Sequence, residues 1–143
     1  MLVTNGIRIA RDPQFVSKLA ELGSWLEIFL QFDSLSEGVL RVLRGEGLRE
    51  VRTLALANLE LHQIATTLVS VVKKGLNDHE IGGVIETGLT YKCVRGVTFQ
   101  PLRAVGRTEG FNPASEWTTL AEVRRNVLIS GHFSCDHFGA TPM

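Results

Sequence analysis

Four stretches of this chain are too continuously apolar and β-branched to be strands with one wet face. They are "LVTNG" (Leu2 to Gly6), "WLEIFLQFDSL" (Trp25 to Leu35), "QIATTLVSVV" (Gln63 to Val72) and "CVRGVTFQPL" (Cys93 to Leu102). Near-continuous hydrophobicity of this kind belongs to strands buried on both faces, the habit of parallel sheets. Parallel neighbours need a crossover between them, and each intervening stretch is long enough to hold a helix. The alternation predicts successive βαβ units: an α/β fold with about four parallel strands and helices on the outer face.

The intervening stretches carry helix signals. In "DPQFVSKLAELG", Asp12 can cap the helix and Pro13 suits its first position, where no amide donor is needed. Phe15, Val16, Leu19 and Ala20 make its buried stripe, and Gly23 is placed to end it. A helical region from Ser36 to Leu61 breaks near "RGEG", after which Leu48, Val51, Ala55 and Leu59 keep helical spacing. "NDHEIGGVIETGL" reads as the next helix, with Asn77 and Glu80 spaced as a capping box and three glycines that weaken it. The last helix has Thr119 and Glu122 as its box and Val123, Val127 and Leu128 on one face. The helical and strand signals run to about residue 130, so residues 1–130 are taken as the domain and 131–143 as a C-terminal tail.

Composition narrows the function classes. The chain has 143 residues, 44% hydrophobic and 21% charged, with a formal net charge of zero. Those values suit a globular domain and argue against a dedicated nucleic-acid or membrane-surface binder. No apolar run reaches the length of a membrane span, and no signal-peptide pattern opens the sequence. Two cysteines, Cys93 and Cys135, do not make a disulfide framework, which points to reduced thiols in the cytoplasm.

In parallel α/β architectures the chemistry gathers at the carboxyl ends of the strands. The polar residues there are Thr4 and Asn5, Gln31 and Asp33, Lys73 and Asn77, and Gln100. The same stretches, "LVTNG", "LQFDSL", "VSVVKKGLNDHEI" and "GVTFQPLRAVGR" in that order, resemble successive strand ends of the radical S-adenosylmethionine (radical SAM) family, nearest to the subgroup that includes tetraether-lipid synthases. The resemblance covers almost the whole chain. It implies an open parallel (β/α) barrel of six units, whose 4Fe–4S cluster chelates S-adenosylmethionine and, once reduced, cleaves it to a radical that abstracts a hydrogen atom from substrate. It also implies a position within that barrel: "TNG" corresponds to the third strand. The two preceding units would carry the CxxxCxxC cluster motif and the Gly-Gly-Glu segment for the cofactor's amino group. This sequence has no CxxxCxxC motif. Relatives also continue beyond a region like "FGATPM". The chain is therefore expected to be a later portion of a larger enzyme core and inactive alone.

By the same resemblance, Gln31, Asp33, Thr67, Val69 and Gln100 are the expected S-adenosylmethionine contacts, and Thr4 and Asn5 face the substrate cavity. Each has a plainer alternative. Gln31 could be a buried glutamine bonded to backbone, and Asp33 a helix cap. Thr67 and Val69 could be barrel filling, and Asn5 with Gly6 an ordinary turn. Arg103 and Arg107 could pair with an anionic substrate group or stay solvated. "KKGLND" lacks a phosphate-cradle pattern and reads as a turn. His132, Cys135 and His137 are ligand types, but their spacing is unlike a zinc finger, and no metal site is expected. No cofactor is expected to bind this chain tightly. Four parallel strands leave two open edges, which predicts a homo-oligomer that covers them. A second function class remains open: a non-catalytic α/β module that binds a small molecule or a partner chain and self-assembles through those edges.

Overall fold

The computed structural model describes residues 1–102 and 117–132. Its elements run β1 (Leu2–Thr4), α1 (Ile7–Arg11), α2 (Pro13–Ala20), a 3-10 turn (Gly23–Trp25), β2 (Ile28–Gln31), α3 (Glu37–Arg44), α4 (Arg49–Leu61), β3 (Thr66–Val72), a 3-10 turn (Asp78–Glu80), α5 (Ile81–Thr90), β4 (Val94–Pro101) and α6 (Leu120–Ile129). The four strands form one sheet in the order β1-β2-β3-β4, and every pair is parallel. This is the expected α/β fold, consistent with a partial (β/α) barrel. The expected boundary at residue 130 falls beside the last described residues, and nearly all of 131–143 lies outside them.

One face of the sheet meets the helices. Leu2, Ile28, Leu30, Leu68, Val94 and Val97 pack there with Ile9, Val16, Leu56, Leu59 and Val84 of the helices. Ile9, Ile28, Leu30 and Leu68 are fully buried, and each such side chain contributes roughly 1.5–3 kcal/mol. A smaller cluster of Val72, Ile81, Ile85 and Val123, with Phe99 and Val127 against it, fastens α5 and α6 to the same side.

Local chemistry explains the starts of two helices. Asp12 Oδ1 accepts from the Phe15 amide at 2.9 Å and Pro13 opens α2, as its sequence predicts. Thr119 and Glu122 close a reciprocal capping box on α6. One element was not anticipated, and two expectations need correction. A short helix, α1, occupies Ile7–Arg11, where the sequence offered no cap outside the "TNG" turn: Asn5 Oδ1 accepts from the Ile7 amide at 3.2 Å. Gly23 does not end α2, which stops at Ala20; it opens the following 3-10 turn at φ 53°. Asn77 and Glu80 do not form a capping box, because both side chains are engaged by the strand ends described below.

The glycines of α5, costly to a free helix, have a packing reason. A Cβ on Gly83 would come within 2.6 Å of Leu35 Cδ1, and one on Gly88 within 3.0 Å of Val97 Cγ2. Their absence lets the helix lie close against β4 and the segment after β2. Gly6 combines closeness with conformation. Its φ is 83°, and a Cβ there would meet Leu30 Cδ1 at 2.8 Å and Ala55 Cβ at 3.2 Å. Gly45 has a similar φ of 77° with nothing within 4 Å. Gly6→Ala should therefore cost more than Gly45→Ala, whose penalty is the left-handed conformation alone, about 1–2 kcal/mol. Urea denaturation of the two variants checks this, and equal losses would refute the close approach at Gly6.

Candidate functional site

Successive strand residues point to opposite faces, and the register fixes which residues share one. Val3, Phe29, Thr67 and Gly96 stand in one row across the four strands, and Gln31, Val69 and Thr98 in the next; Val71 and Gln100 follow. These residues occupy the face opposite the helices. Val3, Phe29, Val69 and Val71 join neither hydrophobic cluster. Four of the sequence-predicted residues, Gln31, Thr67, Val69 and Gln100, thus lie on one surface. Gln31 ends β2 and Gln100 is the penultimate residue of β4, so the two carboxamides stand at the carboxyl edge. Thr67 sits lower, where its hydroxyl donates to Glu27 Oε1 at 2.7 Å. Val69, 7% exposed, supplies an apolar floor between them.

Thr4 and Asn5 are placed differently. Thr4 pairs in register with Leu30, on the helix side, and its hydroxyl oxygen accepts from the Gly6 amide at 3.1 Å. Asn5 is exposed and holds the start of α1. The turn they form lies at the carboxyl edge beside β2 and is stabilised by its own side chains.

Asp33 lies just past β2, with a left-handed φ of 58° and 1% exposure. Every direction around its carboxylate is filled. Arg44 donates from Nε at 2.8 Å and from Nη2 at 3.0 Å, Arg52 Nη2 donates at 2.9 Å, and the Val71 amide donates at 3.1 Å. Its own carbonyl accepts from Ser70 Oγ at 2.7 Å and from Asn77 Nδ2 at 3.0 Å. Asn77 Nδ2 also donates to the Val71 carbonyl, while its Oδ1 accepts from the Lys73 amide. Glu80 completes the ring, accepting from the Leu35 amide at 3.1 Å and from the Ser34 hydroxyl. The hydrogen bonds to Asp33 raise the Arg44 pKa, whereas burial pulls that of Arg52 down.

The sequence pointed to Asp33 but not to its partners. Arg52 was the available signal. It falls four residues after Leu48 and three before Ala55, inside the buried stripe of α4, where a charge must be paired. Arg103 and Arg107, and the Cys135 and His137 of the metal test, lie outside the described residues. Among the described residues no group of three or more His, Cys, Asp or Glu could hold a metal ion. Cys93 is buried at the foot of β4, away from the carboxyl edge. Burial and the neighbouring Glu60 push its thiol up to about 12. Such a thiol is a poor source of the thiolate that iron requires.

Over 110 residues, 76% of this chain, the sequence is 34% identical to 7,8-dihydro-6-hydroxymethylpterin dimethyltransferase of Methanocaldococcus jannaschii. The chain spans 21% of that protein's length. No family model matches the chain. No helix among the described residues is long and apolar enough to cross a membrane.

Asp33→Asn removes the charge that compensates two guanidiniums, one of them 1% exposed. The expected cost is about 3–5 kcal/mol, as for breaking a buried pair. The double variant Asp33→Asn/Arg52→Met should recover part of it, because no unpaired buried charge remains. Chemical denaturation of both variants measures the difference, and a double variant no better than the single one would contradict the pairing.

Proposed function

We propose that this chain is a later portion of a radical SAM enzyme core and that the sheet face opposite the described helices forms a wall of the S-adenosylmethionine and substrate pocket. The supporting observation is the convergence of Gln31, Val69 and Gln100 on that one face, at the carboxyl edge of a sequentially ordered parallel sheet. Two carboxamides that can both donate and accept, beside a hydrocarbon floor, suit the edge of a nucleoside base and its ribose hydroxyls. Asp33 contributes by holding the backbone at the rim, since both its oxygens are taken. Thr4 and Asn5 border the cavity through the turn they stabilise.

Methyl transfer to a reduced pterin, the activity in the relative's name, is compatible with this assignment, because S-adenosylmethionine is a methyl donor. A reduced pterin is accordingly the first substrate to try. The residues described here do not fit a 4Fe–4S cluster: Cys93 is buried with a raised pKa at the wrong end of the sheet. Cluster ligands would have to come from outside this chain, and alone it is inactive.

Titration of the isotopically labelled chain with S-adenosylmethionine or 5′-deoxyadenosine, followed by amide chemical shifts, tests the pocket. Weak binding in the millimolar range is expected, with shifts confined to residues around Gln31, Val69 and Gln100. Shifts on the helix side, or none at the solubility limit, would reject it.

The open edges favour a second property. Among the described residues β1 and β4 each have one strand neighbour, and Val3 on β1 is 55% exposed. An uncovered edge with apolar side chains templates pairing. A homo-oligomer that buries the β1 or β4 edge follows, whether the chain serves an enzyme or is a non-catalytic binding module. Light scattering should give at least twice the monomer mass of 15.8 kDa, and a concentration-independent monomer would exclude self-assembly.

A further inference from the structure

On the helix side, between the start of α4 and the end of α5, lies a cavity of about 140 Å³ whose lining includes Arg49, Arg52, Thr53, Thr87 and Tyr91. That is room for roughly four to five waters at about 30 Å³ each, enough for a small polyatomic ion. Arg52 is 1% exposed and makes two hydrogen bonds, from Nη1 to the Phe32 carbonyl at 2.7 Å and from Nη2 to Asp33. Its Nε is buried with no acceptor among the described residues. A buried guanidinium N–H without an acceptor is rare and calls for a partner.

The groups around the cavity say what kind of partner. Asp33 is saturated by two arginines and an amide, and Glu80 Oε2 is held by Ser34 and the Leu35 amide. Neither carboxylate is free to turn toward Arg52 Nε. Thr53 and Thr87 donate back along their own helices, to the Arg49 and Gly83 carbonyls. Arg52 Nε remains, and the lining also includes Arg49, an exposed residue, and Tyr91, whose phenol can donate. Two arginines of α4, one buried and one exposed, and a tyrosine at the end of α5 thus line one space in which neither neighbouring carboxylate is free. We propose that this cavity binds a small oxyanion, a phosphate group or a carboxylate, clamped between Arg52 and Arg49. It stands apart from the sheet face opposite the described helices and does not depend on the function assigned to that face.

Thermal unfolding of the 143-residue chain in rising inorganic phosphate, and separately in acetate, each against chloride at matched ionic strength, tests the site. At tenfold excess over the dissociation constant the midpoint should rise by about 3–6 °C. A saturable rise with phosphate alone assigns a phosphate group, and one with acetate assigns a carboxylate. The double variant Arg49→Ala/Tyr91→Phe changes an exposed side chain and a single hydroxyl, so the fold should persist; its half-saturating concentration should be at least fivefold higher. No saturable rise with either anion would overturn the proposal and leave Arg52 Nε to ordered water. An unchanged half-saturation in the double variant would overturn it too.

Discussion

One carboxylate organises this molecule. Asp33 leaves β2 in a left-handed turn and is met there by Arg44 of α3, Arg52 of α4 and the amide of Val71 in β3. Its carbonyl is held by Ser70 and Asn77. Two strands, two helices and the turn after β3 thereby meet at a single residue. In a buried setting such a network stabilises only while every member is satisfied, and loss of one member is costly. The consequence is a rigid carboxyl edge at the centre of the sheet, where an α/β protein places its chemistry.

That rigidity sits beside an asymmetry. The helix face is a packed hydrocarbon layer through Leu30, Leu68 and Val97, while the row one residue on carries Gln31, Val69 and Thr98. Because side chains alternate, the register that buries the first set presents the second. No separate device is needed to gather Gln31, Val69 and Gln100 on one surface; the apolar packing that builds the core does it. The polar face and the core are one constraint seen from two sides.

This is also why the fold was largely legible and the site only partly so. The strands announced themselves through β-branched runs, and the caps at Asp12 and Thr119 through side chains that bond within three residues. Gln31, Thr67, Val69 and Gln100 could be grouped because period-two alternation carries facing information once the sheet is known to be parallel. Asp33 defeated local reasoning. Its partners stand 11, 19 and 38 positions away, and no local pattern encodes such distances. Asn77 and Glu80 misled for the same reason: their spacing satisfied a local motif, but strand ends outcompeted the helix for their side chains. Arg52 was the exception in principle, since a guanidinium inside an apolar stripe forecasts a buried partner even when it cannot name one.

Cys93 shows what the foot of the sheet is built for. A cluster-binding cysteine must reach the carboxyl edge, be exposed enough to exchange protons and carry a thiolate near neutral pH. Cys93 is packed in the core with a pKa near 12 and its backbone amide bonded to Glu60 at 2.7 Å. Burial serves it as a small hydrophobe and removes it from redox chemistry. The described carboxyl edge instead holds carboxamides and a saturated carboxylate, groups that position a ligand but do not transfer electrons. The Asp33 network is satisfied in the same way: its oxygens are taken by two guanidiniums and an amide, an arrangement that gives the carboxyl edge stiffness rather than reactivity.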